Sequence, residues 1–180
     1  MNVLKRKSVW NRYHKAMLEQ IAFAKSVSEA QLEFKADEFS WSLRDLFEHL
    51  YQVEYLSQQA MAERIDSGVL KPSEFKHRKR YWRLSWALML PNKYPVPKAV
   101  KDASKPTFGL HFISQWEEQH TQFEAFLERI DRQFLHMLIF RHPIAGPLNA
   151  DQTLGFLYYH LKHHLYQMKR IVKHPAYPKK

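Results

Sequence analysis

A chain of 180 residues with no cysteine and a formal charge of +10 is long enough for one domain, residues 1–180, burying about two thirds of its unfolded surface. It excludes disulfides, thiol nucleophiles and thiolate metal ligands, so any metal must be held by imidazole or oxygen. The basic amino terminus lacks the apolar stretch of a signal peptide and no run of about 18 apolar residues offers a bilayer span, so the expectation is a soluble, cytoplasmic protein.

Four glycines and long helix-period patterning, without alternating strand runs, predict an all-α fold. Residues 4 to about 30 form the first predicted helix, with Leu4, Trp10, Met17, Ile21, Ala24 and Val27 at near-helical spacing. A polar turn spans Glu33 to Ser40. The second helix opens at Ser40 or Ser42, the latter in an S-x-x-D capping box with Asp45, and runs to about Asp66 before Gly68. Its inward set is Leu43, Leu46, His49, Leu50, Val53 and Leu56.

From Ser67 to Gly109 the prolines at 72, 91, 95, 97 and 106 forbid a long helix. The apolar piece Tyr81 to Leu90 predicts a short helix across the bundle. Helix three covers 110 to about 134, with Phe112, Trp116, Phe123, Phe126, Leu127 and Ile130 facing inward. The turn RHPIAGPLNADQ follows, and Asn149, with Gln152 three positions later, caps the fourth helix. Its inward set is Leu154, Leu157, His160, Leu161, His164, Met168 and Ile171.

Connector lengths predict an up-down-down-up four-helix bundle. Helices one and two, and three and four, are expected as antiparallel neighbours, and a long crossover carrying the short extra helix joins helices two and three. In that arrangement helices two and four are antiparallel. His49 lies about 12 Å into its helix, and the midpoint of His160 and His164 roughly 16 Å from the end of theirs, so their levels agree within about one turn.

Three imidazoles on apolar stripes, two of them at i, i+4, point to a divalent-metal site with open coordination positions. Zinc suits four-coordinate chemistry, and nickel or iron an octahedral site with several waters. Gln167, one turn beyond His164, could orient a water or an imidazole. Leu161 stands where H-E-x-x-H would carry glutamate, which removes the usual zinc-protease base. Glu48 and Glu54 are read as exposed-face glutamates, and His163 as pointing to solvent. His14 or His120 within ligand distance would mark a closed, structural site.

The densest basic stretch is KHRKRYWR, residues 76–83. Tyr81 and Trp82 among Lys76, Arg78, Lys79, Arg80 and Arg83 could stack on and neutralise nucleic acid. The preferred reading is a solvated loop whose aromatics anchor it to the bundle, because no nucleic-acid-binding signature accompanies the charge. An anionic small substrate or a membrane surface would explain the same charge.

The segments WSLRDLFEHLYQVE, YPVPKAV and HPIAGPLNADQTLGFLYYHLKHHLYQMKRI together resemble the DinB-like or YfiT-like metal-dependent family of four-helix bundles, from about residue 10 to residue 173. The H-x-x-x-H-x-x-Q arrangement of His160, His164 and Gln167 matches the family pattern. By that resemblance His49, His160 and His164 are the metal triad, the metal is zinc or nickel, and the protein is a homodimer. The resemblance further implies a metal-dependent enzyme acting on a small-molecule substrate, for which the net charge allows an anion: a transferase of low-molecular-weight thiols such as bacillithiol, mycothiol or glutathione, or a related hydrolase or isomerase. The competing expectation is a non-enzymatic, stress-related binding module whose basic surface contacts nucleic acid or a protein partner.

Overall fold

Helices form where apolar periodicity and capping chemistry coincide. In the computed structural model, which describes residues 3–90, 112–130 and 132–179, they are α1 Val3–Ser26, α2 Glu29–Glu33, α3 Leu43–Asp66, α4 Phe75–Met89, α5 Phe112–Arg129 and α6 Ala150–Val172. The proline-rich YPVPKAV segment lies outside the described residues. Among the described residues no helix is long and apolar enough to cross a membrane.

Capping boxes set three of the starts. Ser42, rather than Ser40, opens α3: its Oγ accepts from the Asp45 backbone N–H at 3.1 Å while Asp45 Oδ2 accepts from the Ser42 N–H at 2.9 Å. Asn149 and Gln152 make the same reciprocal pair at 3.0 Å ahead of α6. Each box satisfies donors that a helix start would otherwise leave unpaired. A third box, Ser28 with Gln31, ends the predicted first helix early, so α1 stops at Ser26 and α2 begins as a separate turn.

Two further expectations are corrected. The segment KHRKRYWR is helical, because α4 starts at Phe75, six residues before the predicted start, with His77 Nδ1 accepting the Glu74 N–H at 3.0 Å. The turn RHPIAGPLNADQ contains an antiparallel hairpin, β1 Phe140–His142 with β2 Gly146–Leu148. Three-residue strands are too short for alternation to register in a sequence. Gly146, at φ +74°, supplies the left-handed turn residue the hairpin needs.

The long helices α1, α3, α5 and α6 run up-down-down-up. Packing joins α1 to α6 and α5, and α3 to α5 and α6, so the consecutive pairs α1–α3 and α5–α6 face each other across the bundle instead of standing side by side as expected. The connectors, one holding α2 and the other the hairpin, are long enough to cross the bundle end. Outside the four, α4 lies along α6. There the Tyr81 hydroxyl covers Gly155, where any Cβ would collide with it.

The core holds Phe47, Phe112, Trp116, Phe123, Met17 and Leu154, all essentially inaccessible. Along α3 the buried line is Leu43, Phe47, Leu50, Glu54, Ser57 and Met61, a 4-3-4-3-4 spacing that rotates the core face away from Leu56, which is 46% exposed. Glu54, expected on the exposed face, is therefore fully buried. Tyr13 Oη donates to Glu54 Oε2 at 2.5 Å, His120 Nδ1 lies 2.8 Å from the same oxygen, and His120 Nε2 lies 3.0 Å from His14 Nδ1. Trp10 stacks on His120 at 5.2 Å and donates to Glu124 at 3.1 Å.

A buried carboxylate with such partners is costly to orphan and costly to delete. Glu54→Ala strands Tyr13 and His120, and is expected to lower unfolding free energy by about 3 kcal/mol. Glu54→Gln, which keeps an acceptor, should lose less. Urea titrations of the two variants against the parent protein measure both, and equal stability of Glu54→Ala would remove the network's structural role.

Candidate metal centre

The seam between α3 and α6 carries the three sequence-predicted histidines, and the structure brings all of them together. His49 Nε2 lies 3.2 Å from His160 Nε2, which lies 3.1 Å from His164 Nε2. One nitrogen from each ring falls within 4.8 Å of the other two, a grouping that could hold a metal ion. His49 and His164 are buried, whereas His160 keeps partial exposure.

Local folding fixes each ring. The Ser42 box starts α3 so that His49 falls about two turns in. Just before that cap, Trp41 lies parallel to the His164 ring at 6.2 Å and edge-on to His49 at 5.3 Å. Phe156 packs on His160 at 5.4 Å. The approach of α2 to α3, held by Arg44 with Glu29 at 2.5 Å and with Glu33, steadies the connector that carries Trp41.

Burial keeps these imidazoles neutral. It lowers His49 from 6.5 to about 4 and His164 to about 3, the latter also feeling His49. His160 is pushed well below its usual range by burial first and then by His164 and His49. Neutral imidazole is the metal-binding form.

Proton placement provides a test of fit. Gln167 Oε1 can only accept, so at 2.9 Å it requires the proton of His164 on Nδ1, leaving the His164 Nε2 lone pair aimed inward. His160 Nε2 faces two nitrogens and can donate to only one. At most one of the two close nitrogen pairs is therefore a full hydrogen bond, and a cation bound by all three lone pairs would replace the unmet contact. The residues present fit a divalent metal.

Four further side chains complete the account. His14 and His120 are engaged with Glu54 and are not in the histidine group, so neither closes the coordination shell. His163, expected in solvent, is buried, with backbone hydrogen bonds to Leu88 and Leu90 at the end of α4. Its register points outward from the core, but α4 covers that face. Glu48, one residue before His49, turns toward Arg44 and is raised to about 7 by burial.

Trp41 and His142 escape sequence reasoning. His142 edges against Phe156 at 4.4 Å. Its Nδ1 accepts the Ile144 and Ala145 backbone N–H groups at 3.1 Å, so that nitrogen is occupied by the hairpin. A histidine followed by proline in a turn was the available signal.

Comparison with known proteins agrees with the helical-bundle fold. The family profile described as the DinB superfamily matches residues 12–168. YuaE of Bacillus subtilis (strain 168), described as an uncharacterized protein, is 25% identical over 159 residues, covering 88% of this chain and 94% of the relative. YfiT from Bacillus subtilis, whose structure is described as that of a probable metal-dependent hydrolase with an unusual four-helix bundle topology, aligns with a TM-score of 0.55 at 16% identity. That alignment covers 96% of this chain and 89% of the other.

The depressed histidines make metal-free stability depend on pH. Between each folded value and 6.5 the unfolded chain binds the proton and the folded chain does not. Their contribution is intact above about pH 6.5 and is lost as pH falls toward 4 and then 3. At pH 5 the expected loss is on the order of 1–2 kcal/mol for each of His49 and His164. Urea midpoints in chelator at pH 7 and pH 5 check this, and the double variant His49→Leu/His164→Leu should flatten the difference.

Proposed function

The chain belongs to the DinB superfamily, and from that premise we propose that it is a metal-dependent enzyme in which His49, His160 and His164 hold one divalent cation, zinc or nickel, and leave positions for a small-molecule reactant. The observation that carries the reading is the convergence of three neutral Nε2 atoms that can share no more than one full hydrogen bond. Bound there, the cation supplies Lewis acidity that lowers the proton affinity of a water or thiol presented to it.

The chain's own residues do the positioning. Gln167 holds the His164 tautomer through Nδ1, as outer partners of metal-binding imidazoles do. Trp41 and Phe156 wall the rings with apolar surface. Three uncharged donors leave the dication's full charge to act on the reactant.

The reactant class follows from what accompanies the triad. No carboxylate joins the three histidines among the described residues, and Leu161 replaces the usual helical glutamate. A reactant that loses its proton without a protein base is thereby favoured. A thiol, with a free pKa of about 8.5, meets that condition more easily than water, at about 15.7 before coordination. The preferred activity is transfer of a low-molecular-weight thiol to an electrophile, with hydrolysis as the second reading. The absence of His14 and His120 from the cluster favours either over a closed structural site, which four side chains normally complete.

Elemental analysis of tag-free protein should give near-stoichiometric zinc or nickel. His160→Ala should abolish it while leaving far-ultraviolet helicity unchanged. Gln167→Ala should weaken metal affinity about 10–100-fold, read by competition with a chromogenic chelator. Full metal content in His160→Ala would exclude the triad. Metal-loaded protein that consumes no thiol with model electrophiles, yet cleaves ester or amide substrates, would select hydrolysis.

A further inference from the structure

The outward face of α4 has no part in the histidine cluster. Phe75, Trp82 and Trp86 are 60%, 60% and 61% exposed, large fractions for three of the four Phe, Tyr and Trp side chains of one short helix. At i, i+7 and i+11 they form one ridge, which Met89 and Leu90, also exposed, extend. The ridge from Phe75 to Trp86 is about 16 Å long.

Cations flank it. Arg78 and Lys79 sit over the Phe75 ring at 4.8 and 5.0 Å, and with Trp82 and Arg83 they line a shallow depression. Lys76 pairs with Glu74 at 2.9 Å, but no carboxylate pairs with Arg78, Lys79 or Arg83 among the described residues. The opposite face of α4 is fixed: His77, Leu84 and Ser85 are buried, and Tyr81 packs over Gly155 of α6. The aromatic and basic side chains therefore project from a rigid shelf.

We infer that the outward face of α4, with Phe75, Trp82 and Trp86 between Arg78, Lys79 and Arg83, is a docking surface for an anionic phospholipid membrane. Charge complementarity selects the partner. Two copies meeting through this face would oppose cation to cation, whereas an anionic headgroup layer satisfies the cations and admits tryptophan at its boundary. The exposed apolar residues continue through Met89 and Leu90, which gives the face an apolar stripe to set into a headgroup boundary. Single-stranded nucleic acid calls for a groove that tracks its backbone and bases that stack on rings, and Tyr81, the other aromatic of the basic motif, faces inward.

The test is co-sedimentation of the full-length protein with vesicles of equimolar phosphatidylcholine and phosphatidylserine, alongside pure phosphatidylcholine, with tryptophan emission as a second readout. Binding only to the anionic vesicles, with a blue shift, is expected. Lys79→Gln/Arg83→Gln should reduce partitioning by about fivefold for each charge removed. Trp82→Ser/Trp86→Ser should abolish the blue shift and most binding. Unchanged helicity and metal content would show both variants folded.

No binding to anionic vesicles at low salt overturns the proposal, as does binding that survives both variants. Tight binding of a single-stranded oligonucleotide that needs the same residues, without vesicle binding, would make the face a nucleic-acid surface instead. Concentration-dependent dimers dissolved by Trp82→Ser/Trp86→Ser would assign it to a second copy.

Discussion

Desolvation governs the seam between α3 and α6. An imidazolium there would lie in an apolar interior beside two other rings with no carboxylate among them, so burial drives all three rings neutral. Neutrality then creates a directional problem, since each ring has one proton and must choose which nitrogen bears it. Gln167 settles the choice for His164, Trp41 packs against the rings, and the three converging nitrogens can share no more than one full hydrogen bond. The neutral state of the three rings is thus a consequence of the apolar core around them.

The bundle contains a second buried polar system, and the contrast is instructive. Around Glu54, the hydroxyl of Tyr13 and the rings of His120 and His14 form a chain in which donors can meet acceptors. Such a network rigidifies the helices that contribute to it. Histidine occurs in both systems, so residue type alone does not distinguish them. The difference lies in whether a carboxylate is present to accept the imidazole proton.

Much of the fold was legible because its determinants are local. The boxes at Ser42 and Asn149 are three-residue relationships, and the phases that turn His49, His160 and His164 inward are counted within single helices. The up-down-down-up order followed from connector lengths. Features assembled from distant elements were not legible: the partners of Glu54 come from positions 41 and 66 residues away, and two apolar registers on α3 compete until Phe47 and Met61 settle into the core. His163 was misread because only packing reveals that α4 covers its face. The side-by-side pairing of consecutive helices failed for a similar reason, since connector length permits a diagonal crossing as readily as an adjacent one.

One turn of α6 serves two clients. His160 and His164 lean toward α3 and the cluster, while His163 between them is bonded to the backbone at the end of α4, whose first half is registered to the same helix through Tyr81 and Gly155. Neighbouring positions on a helix differ by about 100° in direction but share one axis. The turn of α6 that carries two of the three imidazoles is therefore held from both sides, by α3 at the cluster and by α4 at His163.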